Sequence, residues 1–159
     1  MLFLSDNMLK HLIPLLQRYH IQLIWCESDD IPGSYWGAPE AGIIANRVYY
    51  NAKTPVHSVL HESCHYVCMD SQRRANLHTN TGGDYLEENA VCYLQILLAE
   101  FLPDMGKIIM CKDMDDWGYS FRLGSALSWY KDDAEDAQTW LIKNKLLNSN
   151  LHPTWRVRT

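Results

Sequence analysis

The chain has 159 residues, 47% of them hydrophobic, which is enough apolar material for one compact domain with a buried core. Its formal net charge is −5 and its 14 Lys and Arg residues are scattered, so we predict no nucleic-acid partner. The five cysteines have no regular spacing, which favours a reduced, cytoplasmic setting over a disulfide scaffold.

The N-terminal third predicts one helix and a small sheet. Residues 7–20 have apolar side chains at helical spacing, with Asp6 as the candidate N-cap and Pro14 inside the helix. This apolar beginning is not typical of a signal peptide, because it has no basic leader and Asp6 interrupts it. The segments "IQLIW" (21–25) and "IIANRVYYN" (43–51) are rich in β-branched and aromatic residues, and each predicts one strand.

The middle of the chain predicts two helices joined by a loop. Thr54 followed by Pro55 is typical of an N-cap and a first helical position, so a helix is expected from there to about Asp70. Residues 71–85 are polar and contain glycines, which indicates a loop. Residues 86–102, "LEENAVCYLQILLAEFL", predict a second long helix. Its uncharged part is far shorter than the roughly 20 residues of a membrane span, so no membrane partner is expected.

The last third predicts three further helices, over residues 104–118, 120–133 and 134–147, separated by glycine or acidic breaks. The whole pattern indicates the α+β class, with strands early in the chain and helices after them.

We predict a single domain over residues 1–159 with three parts. Residues 1–53 form the N-terminal helix and the small sheet, and residues 54–103 form the two central helices. Residues 104–159 form a helical C-terminal extension.

The stretch "VLHESCHYVCMD" contains the strongest chemical signal. His61 and His65 are four residues apart, so a helix presents both imidazoles on one face, suited to chelating one ion. Glu62 lies too far round to be a ligand but near enough to take a proton from a water on that ion. This is the HExxH arrangement of two zinc-binding histidines and a general base. Cys64 and Cys68 face elsewhere and are expected to be buried apolar filler.

A catalytic zinc ion needs a third protein ligand and an open position for water. Glu87 lies on the apolar stripe of the second long helix, where a carboxylate needs a positive partner, so it is the first choice. Glu88 lies about 100° away, beside Cys92 and Gln95, and is the second choice. Asp84, just before the helix, is the third.

Further residues are candidates for stabilising an oxyanion or contacting a substrate. His78 and Tyr85 lie in or next to the predicted loop, and Tyr35 and Trp36 lie near the edge of the sheet. His57 lies one turn before the first motif histidine, and we expect it to have no role.

With these residues placed, the chain resembles the zincin-like metallopeptidases, and most nearly the minimal gluzincin type represented by the ImmA/IrrE family. The likeness extends over residues 42–103 and includes the strand before the motif helix and the "HESCH" motif. The second long helix fits the pattern of the family at Glu87, Ala90, Leu97, Leu98 and Pro103. A weaker likeness to aspartate-liganded zincins, through "TGGDY", keeps Asp84 as an alternative ligand.

This resemblance implies a zincin-like fold, with a small mixed sheet packed on the HExxH helix and a second ligand helix, followed by a helical C-terminal part. It implies zinc-dependent hydrolysis of a peptide bond in a peptide or protein substrate. One Zn²⁺ per chain would be held by His61, His65 and Glu87, and Glu62 would activate the water. The alternatives are a catalytically silent zincin-fold binding or regulatory protein with a structural metal, and a helical domain without metal.

Overall fold

Seven α-helices and a small mixed sheet make up the fold, which a computed structural model describes over all of residues 1–159. The elements in chain order are α1 (Asp6–Gln17), β1 (Gln22–Trp25), β2 (Gly42–Ile44), β3 (Arg47–Tyr50), α2 (Val56–Cys68), α3 (Ser71–Ala75), α4 (Tyr85–Ala99), α5 (Gly106–Trp117), a 3-10 turn (Arg122–Gly124), α6 (Ala126–Asp132) and α7 (Glu135–Lys143). The predicted α+β class is confirmed. No helix combines enough length with enough apolar character to cross a membrane.

Helix α1 confirms the first predicted helix, but its N-cap differs. The Oγ of Ser5 accepts a hydrogen bond from the Met8 backbone N–H at 3.1 Å, so Ser5 is the cap instead of Asp6. Asp6 is the first helical residue, where its negative charge interacts favourably with the helix dipole.

The prediction of one strand over residues 43–51 is wrong, because the chain folds back on itself there. Strands β2 and β3 pair antiparallel, with Ile43 opposite Val48, and β1 joins β3 in parallel to give the order β1-β3-β2. The reversal is at Ala45, which has a φ of 51°, and the Asn46 side chain beside it donates to the His20 carbonyl at 2.8 Å. Strand propensity does not reveal such a turn, because the residues on both sides are β-formers.

Helix α2 carries the histidine motif and is buried on most of its surface. It begins one residue later than predicted: Pro55 is at the N-cap, and the Thr54 hydroxyl instead accepts a hydrogen bond from the Asn51 N–H at 3.1 Å. It contacts both β2 and β3 on one side and α4 on the other. Cys64 and Cys68 are fully buried in the hydrophobic core, as expected for apolar filler.

The polar stretch between α2 and α4 contains a short helix that the sequence analysis did not predict. Asp70 caps α3 by accepting a hydrogen bond from the Arg73 N–H at 2.9 Å. Asp84 caps α4 in the same way, accepting from the Glu87 N–H at 2.9 Å. The second long helix is therefore confirmed, over Tyr85–Ala99.

Three helices follow, as predicted, and they complete the core around α4. However, the segment expected over residues 120–133 is α-helical only over Ala126–Asp132, where Ser125 caps it. Helices α5 and α7 contact α4 directly, and α6 packs on α5. Trp129 of α6 is buried, with its ring stacked on Phe121 at 4.9 Å between centroids. Beyond α7 the chain crosses back over the molecule, and Trp155 packs against Tyr19 and Phe101.

Candidate metal centre

Three potential metal ligands from two helices converge on one point. His61 and His65, which we call the imidazole pair, lie on successive turns of α2, and their Nε2 atoms are 3.1 Å apart. The Glu88 carboxylate, from the first turn of α4, places Oε1 3.3 Å from the Nε2 of His61 and Oε2 3.2 Å from that of His65. One ligand atom from each residue lies within 4.8 Å of the other two. Two imidazoles and one carboxylate are the donor set of many catalytic zinc sites.

Glu87, the first choice from the sequence, does not lie at the imidazole pair. Its carboxylate is buried and accepts hydrogen bonds from Arg73, whose Nη1 is 2.9 Å from Oε2 and whose Nη2 is 2.5 Å from Oε1. The Nη1 of Arg158 lies 3.3 Å from the same Oε2. The sequence argument that this carboxylate needs a positive partner holds, but guanidinium groups supply the charge. Glu88, the second choice, occupies the position expected of Glu87.

Asp84, the third choice, is also committed elsewhere. Its side chain caps α4 through the Glu87 N–H, which is a structural role typical of aspartate at this position. It is not part of the ligand cluster.

A buried amide fixes the orientation of His61. The Nδ1 of His61 lies 3.0 Å from the Oε1 of Gln95, and the Nε2 of Gln95 donates to the His57 carbonyl at 3.0 Å. Because the amide N–H₂ is used on the carbonyl, its oxygen faces the imidazole, which must therefore carry its proton on Nδ1. The Nε2 of His61 is then the ring atom directed at His65 and Glu88, and it is free to bind a metal once it carries no proton. The sequence analysis placed Gln95 beside Glu88 but gave it no role.

His65 has no comparable anchor. It is buried, and its Nδ1 has no hydrogen-bond partner in the chain. Its only polar contacts are those of Nε2 with His61 and Glu88, so no buried amide fixes its tautomer as Gln95 does for His61.

The charge balance of the cluster favours a cation. Burial alone would raise the pKa of Glu88, but hydrogen bonds and positive charge from His61 and His65 outweigh it and hold the pKa of that carboxyl well below its usual range. The carboxylate therefore stays ionised at neutral pH. Burial lowers the pKa of His61, but Tyr119, Cys92 and Glu88 outweigh it and raise that pKa well above its usual value, so a protonated imidazole pairs with Glu88 in the metal-free chain. A divalent ion would replace that proton and bind the imidazole nitrogen and the carboxylate oxygens together.

A cleft of about 410 Å³ adjoins the cluster. Its walls are formed by Glu40, His57, Ser58, His61, Glu62, Trp117, Gly118 and Tyr119. Burial raises the pKa of Glu62, and the nearby imidazoles offset only part of this effect. A carboxylate of raised pKa at the wall of a cleft is suited to accept a proton.

Tyr119, in the segment after α5, is a cleft residue that the sequence analysis did not single out. Its ring meets that of His61 edge-on at 5.4 Å between centroids, and its hydroxyl lies 3.3 Å from the Nδ1 of His57. Burial raises the pKa of Tyr119 to about 12, so the phenol keeps its proton. Burial lowers the pKa of His57 to about 4, so this histidine is neutral and supports the cleft wall. No spacing rule links residue 119 to the motif.

The other candidate contact residues do not line the cleft. His78 lies beyond the outer edge of β2, where it forms a bridge with Ile44, and its side chain contacts Thr79. Tyr85 is exposed at the start of α4, and Tyr35 and Trp36 are also exposed.

Neither a family model, a curated protein nor a solved structure matches the chain. The resemblance to zincin-like metallopeptidases therefore stays a prediction from the sequence, and the functional argument depends on the geometry of the site.

Proposed function

We propose that the protein is a zinc-dependent metallopeptidase in which His61, His65 and Glu88 hold the metal and Glu62 is the general base. The observation that carries this proposal is the convergence of the three ligand groups beside a cleft that is lined by one of them, His61, and by Glu62. Glu88 replaces Glu87 in the ligand set, because the arginine partners of Glu87 direct it away.

The donor set fits zinc in number and in type. Three protein ligands leave coordination positions for other groups, and His61 faces the cleft as well as the cluster. A zinc ion held there would act as a Lewis acid towards a carbonyl oxygen and lower the pKa of a bound water towards 7.

The residues of the chain supply the remaining parts of a hydrolytic site. Glu62 accepts the proton of the attacking water and returns it to the leaving amine. Gln95 keeps the proton of His61 on Nδ1, which leaves Nε2 as a ligand atom. The Tyr119 hydroxyl, in the wall of the same cleft, is a donor for the oxygen that becomes negative during the attack.

A second candidate is a binding or regulatory protein that keeps the metal without turnover. This candidate is favoured by the outer edge of β2, because other parts of the chain already form hydrogen bonds with it and an extended substrate cannot. The Ile43 N–H donates to the Gly33 carbonyl at 3.1 Å, and the Thr79 N–H donates to the Ile43 carbonyl at 2.9 Å. An extended peptide therefore cannot bind by adding a strand to this edge.

Metal analysis and a cleavage assay test both candidates. Protein purified without a histidine tag should contain about one zinc per chain, and the His61→Ala variant should contain none. In a screen against a mixed peptide library, Glu62→Gln should keep its zinc and lose about 10²- to 10⁴-fold in cleavage rate. Bound zinc without cleavage by either protein would support the second candidate, and zinc-free wild type would overturn both.

A further inference from the structure

The two neighbouring carboxylates at the start of α4 have different partners. Glu88 faces the imidazole pair, whereas Glu87 is enclosed by two guanidinium groups. We call Arg73, Glu87 and Arg158 the arginine clamp. Its members come from α3, α4 and the segment after α7, so three separate parts of the chain meet one residue away from a proposed ligand.

The Arg73 half of the clamp ties α4 to the segment that follows α2. Both terminal nitrogens of Arg73 bind the two oxygens of Glu87, and its Nη2 also donates to the Thr81 carbonyl at 2.8 Å. Such a bidentate pair fixes orientation as well as distance. Gly83 leaves room for it, since a Cβ there would lie 3.0 Å from the Glu87 carboxylate.

The Arg158 half ties the same carboxylate to the end of α2. The backbone N–H of Arg158 donates to the Val67 carbonyl at 2.9 Å, and its Nη1 donates to the Cys68 carbonyl at 3.3 Å. These carbonyls belong to the last turn of the helix that carries His65. Arg158 therefore contacts the end of the histidine helix and the start of the carboxylate helix at the same time.

We propose that the arginine clamp is a positioning device for the metal site: it fixes the first turn of α4 against the end of α2, so that Glu88 faces the imidazole pair. It also holds both guanidinium groups on Glu87, which keeps them from pairing with Glu88 in place of a metal. This inference rests on the proposed function, because it assigns the clamp to the same metal site. A site of this kind needs its ligands placed to within about 0.5 Å, which a freely moving first turn cannot provide.

The test compares variants of the clamp with matched variants outside it. Glu87→Gln keeps the size of the side chain and removes its charge, Arg158→Ala removes one guanidinium, and Arg73→Lys keeps the charge but removes the bidentate geometry. Glu135→Gln and Arg122→Ala, on exposed residues of the C-terminal part, are the controls.

Two readouts are measured for each variant. Zinc affinity, from competition with a chromogenic chelator, should fall about 10- to 100-fold in Glu87→Gln and Arg158→Ala, and less in Arg73→Lys. The visible absorption of the Co²⁺-loaded protein should change in the same variants. Without metal, hydrogen exchange of residues 84–91 should become faster in the clamp variants and stay unchanged in both controls.

The outcomes separate the two proposals. Wild-type protein that binds no zinc overturns the proposed function, whatever the clamp variants do. Wild-type zinc binding with unchanged affinity and cobalt spectrum in folded Glu87→Gln and Arg158→Ala overturns the clamp alone, since a purely structural ion pair would lower only the thermal stability. If Glu87→Gln does not fold, Arg158→Ala decides, because it leaves the Arg73 pair in place.

Discussion

The start of α4 presents two carboxylates one residue apart, and their surroundings are opposite in kind. The Glu87 side chain is 5% exposed and meets guanidinium groups, which keep their charge at all relevant pH values. The Glu88 side chain is 46% exposed and meets two imidazoles. Their Nε2 atoms, like the carboxylate oxygens, can donate a lone pair to a metal ion. One carboxylate thus has partners of permanent charge, and the other has partners that are positive only when protonated and that can bind a metal ion instead. A candidate metal ligand therefore differs from a structural carboxylate in the kind of partner it faces, more than in the depth of its burial.

The contrast between Glu87 and Glu88 depends most of all on Glu88 being a metal ligand. Glu88→Gln should weaken zinc binding by more than the 10- to 100-fold that is typical of an outer-shell partner, because it removes the only anionic donor of the cluster. Chelator competition measures the affinity, and Glu135→Gln is the matched control on an exposed first turn. If Glu88→Gln binds zinc normally and Glu87→Gln does not, Glu87 is the ligand and our assignment is wrong.

Two neighbouring glycines test how tightly the arginine clamp encloses Glu87. Gly82 and Gly83 both have positive φ, 60° and 95°, but only Gly83 faces the Glu87 carboxylate closely. Gly82→Ala should cost about 1–2 kcal/mol in the free energy of unfolding, from backbone strain alone. Gly83→Ala should cost about 2–3 kcal/mol, because crowding of the ion pair adds to the strain.

Urea denaturation of the metal-free protein measures both glycine variants. Equal losses in the free energy of unfolding for the two variants would show that the Glu87 carboxylate moves freely away from Gly83. Our description of Glu87 as tightly enclosed would then be wrong.

Substitutions of Gln95 test how the ring of His61 is held in the imidazole pair. Gln95→Leu keeps the volume and removes the acceptor that holds His61, so zinc affinity should fall about 10- to 100-fold. The variant also removes the second donor of the His57 carbonyl, which keeps its partner within helix α2, so the loss of stability should be about 1 kcal/mol. Gln95→Glu restores an acceptor for the Nδ1 of His61 and should recover most of the affinity. Equal affinity in Gln95→Leu and wild type would mean that the ring of His61 needs no anchor.

The site could be predicted where its residues lie close together in the sequence, and could not where they lie far apart. His61, Glu62 and His65 follow from helical spacing within five residues. The choice between Glu87 and Glu88 could not be made, because it depends on Arg158, which lies 71 residues after Glu87. Gln95 gave a usable signal, since a polar residue two turns from Glu88 on an apolar helix needs a partner. Tyr119 gave none.

The fold was predictable to a similar extent. The long helices and the α+β class follow from apolar periodicity, which is strong over ten or more residues. The hairpin at Ala45 and the short helix α3 were missed for a common reason. The hairpin depends on the left-handed backbone of Ala45, and helix α3 depends on the Asp70 side chain acting as its N-cap. Apolar periodicity reveals neither feature.

The smallest effect is expected at an arginine that resembles the clamp in chemistry only. Arg122 pairs with Asp133, its Nε lying 2.6 Å from a carboxylate oxygen, but both side chains are open to solvent. Because water screens such a pair, Arg122→Gln should shift the urea midpoint less than either glycine variant and should leave zinc affinity unchanged. Arg158→Gln removes a guanidinium from a carboxylate that water hardly reaches, so it should lower both quantities. Equal losses of urea midpoint and zinc affinity in the two variants would mean that the burial of Glu87 adds nothing to its ion pairs. The contrast between Glu87 and Glu88 would then fail.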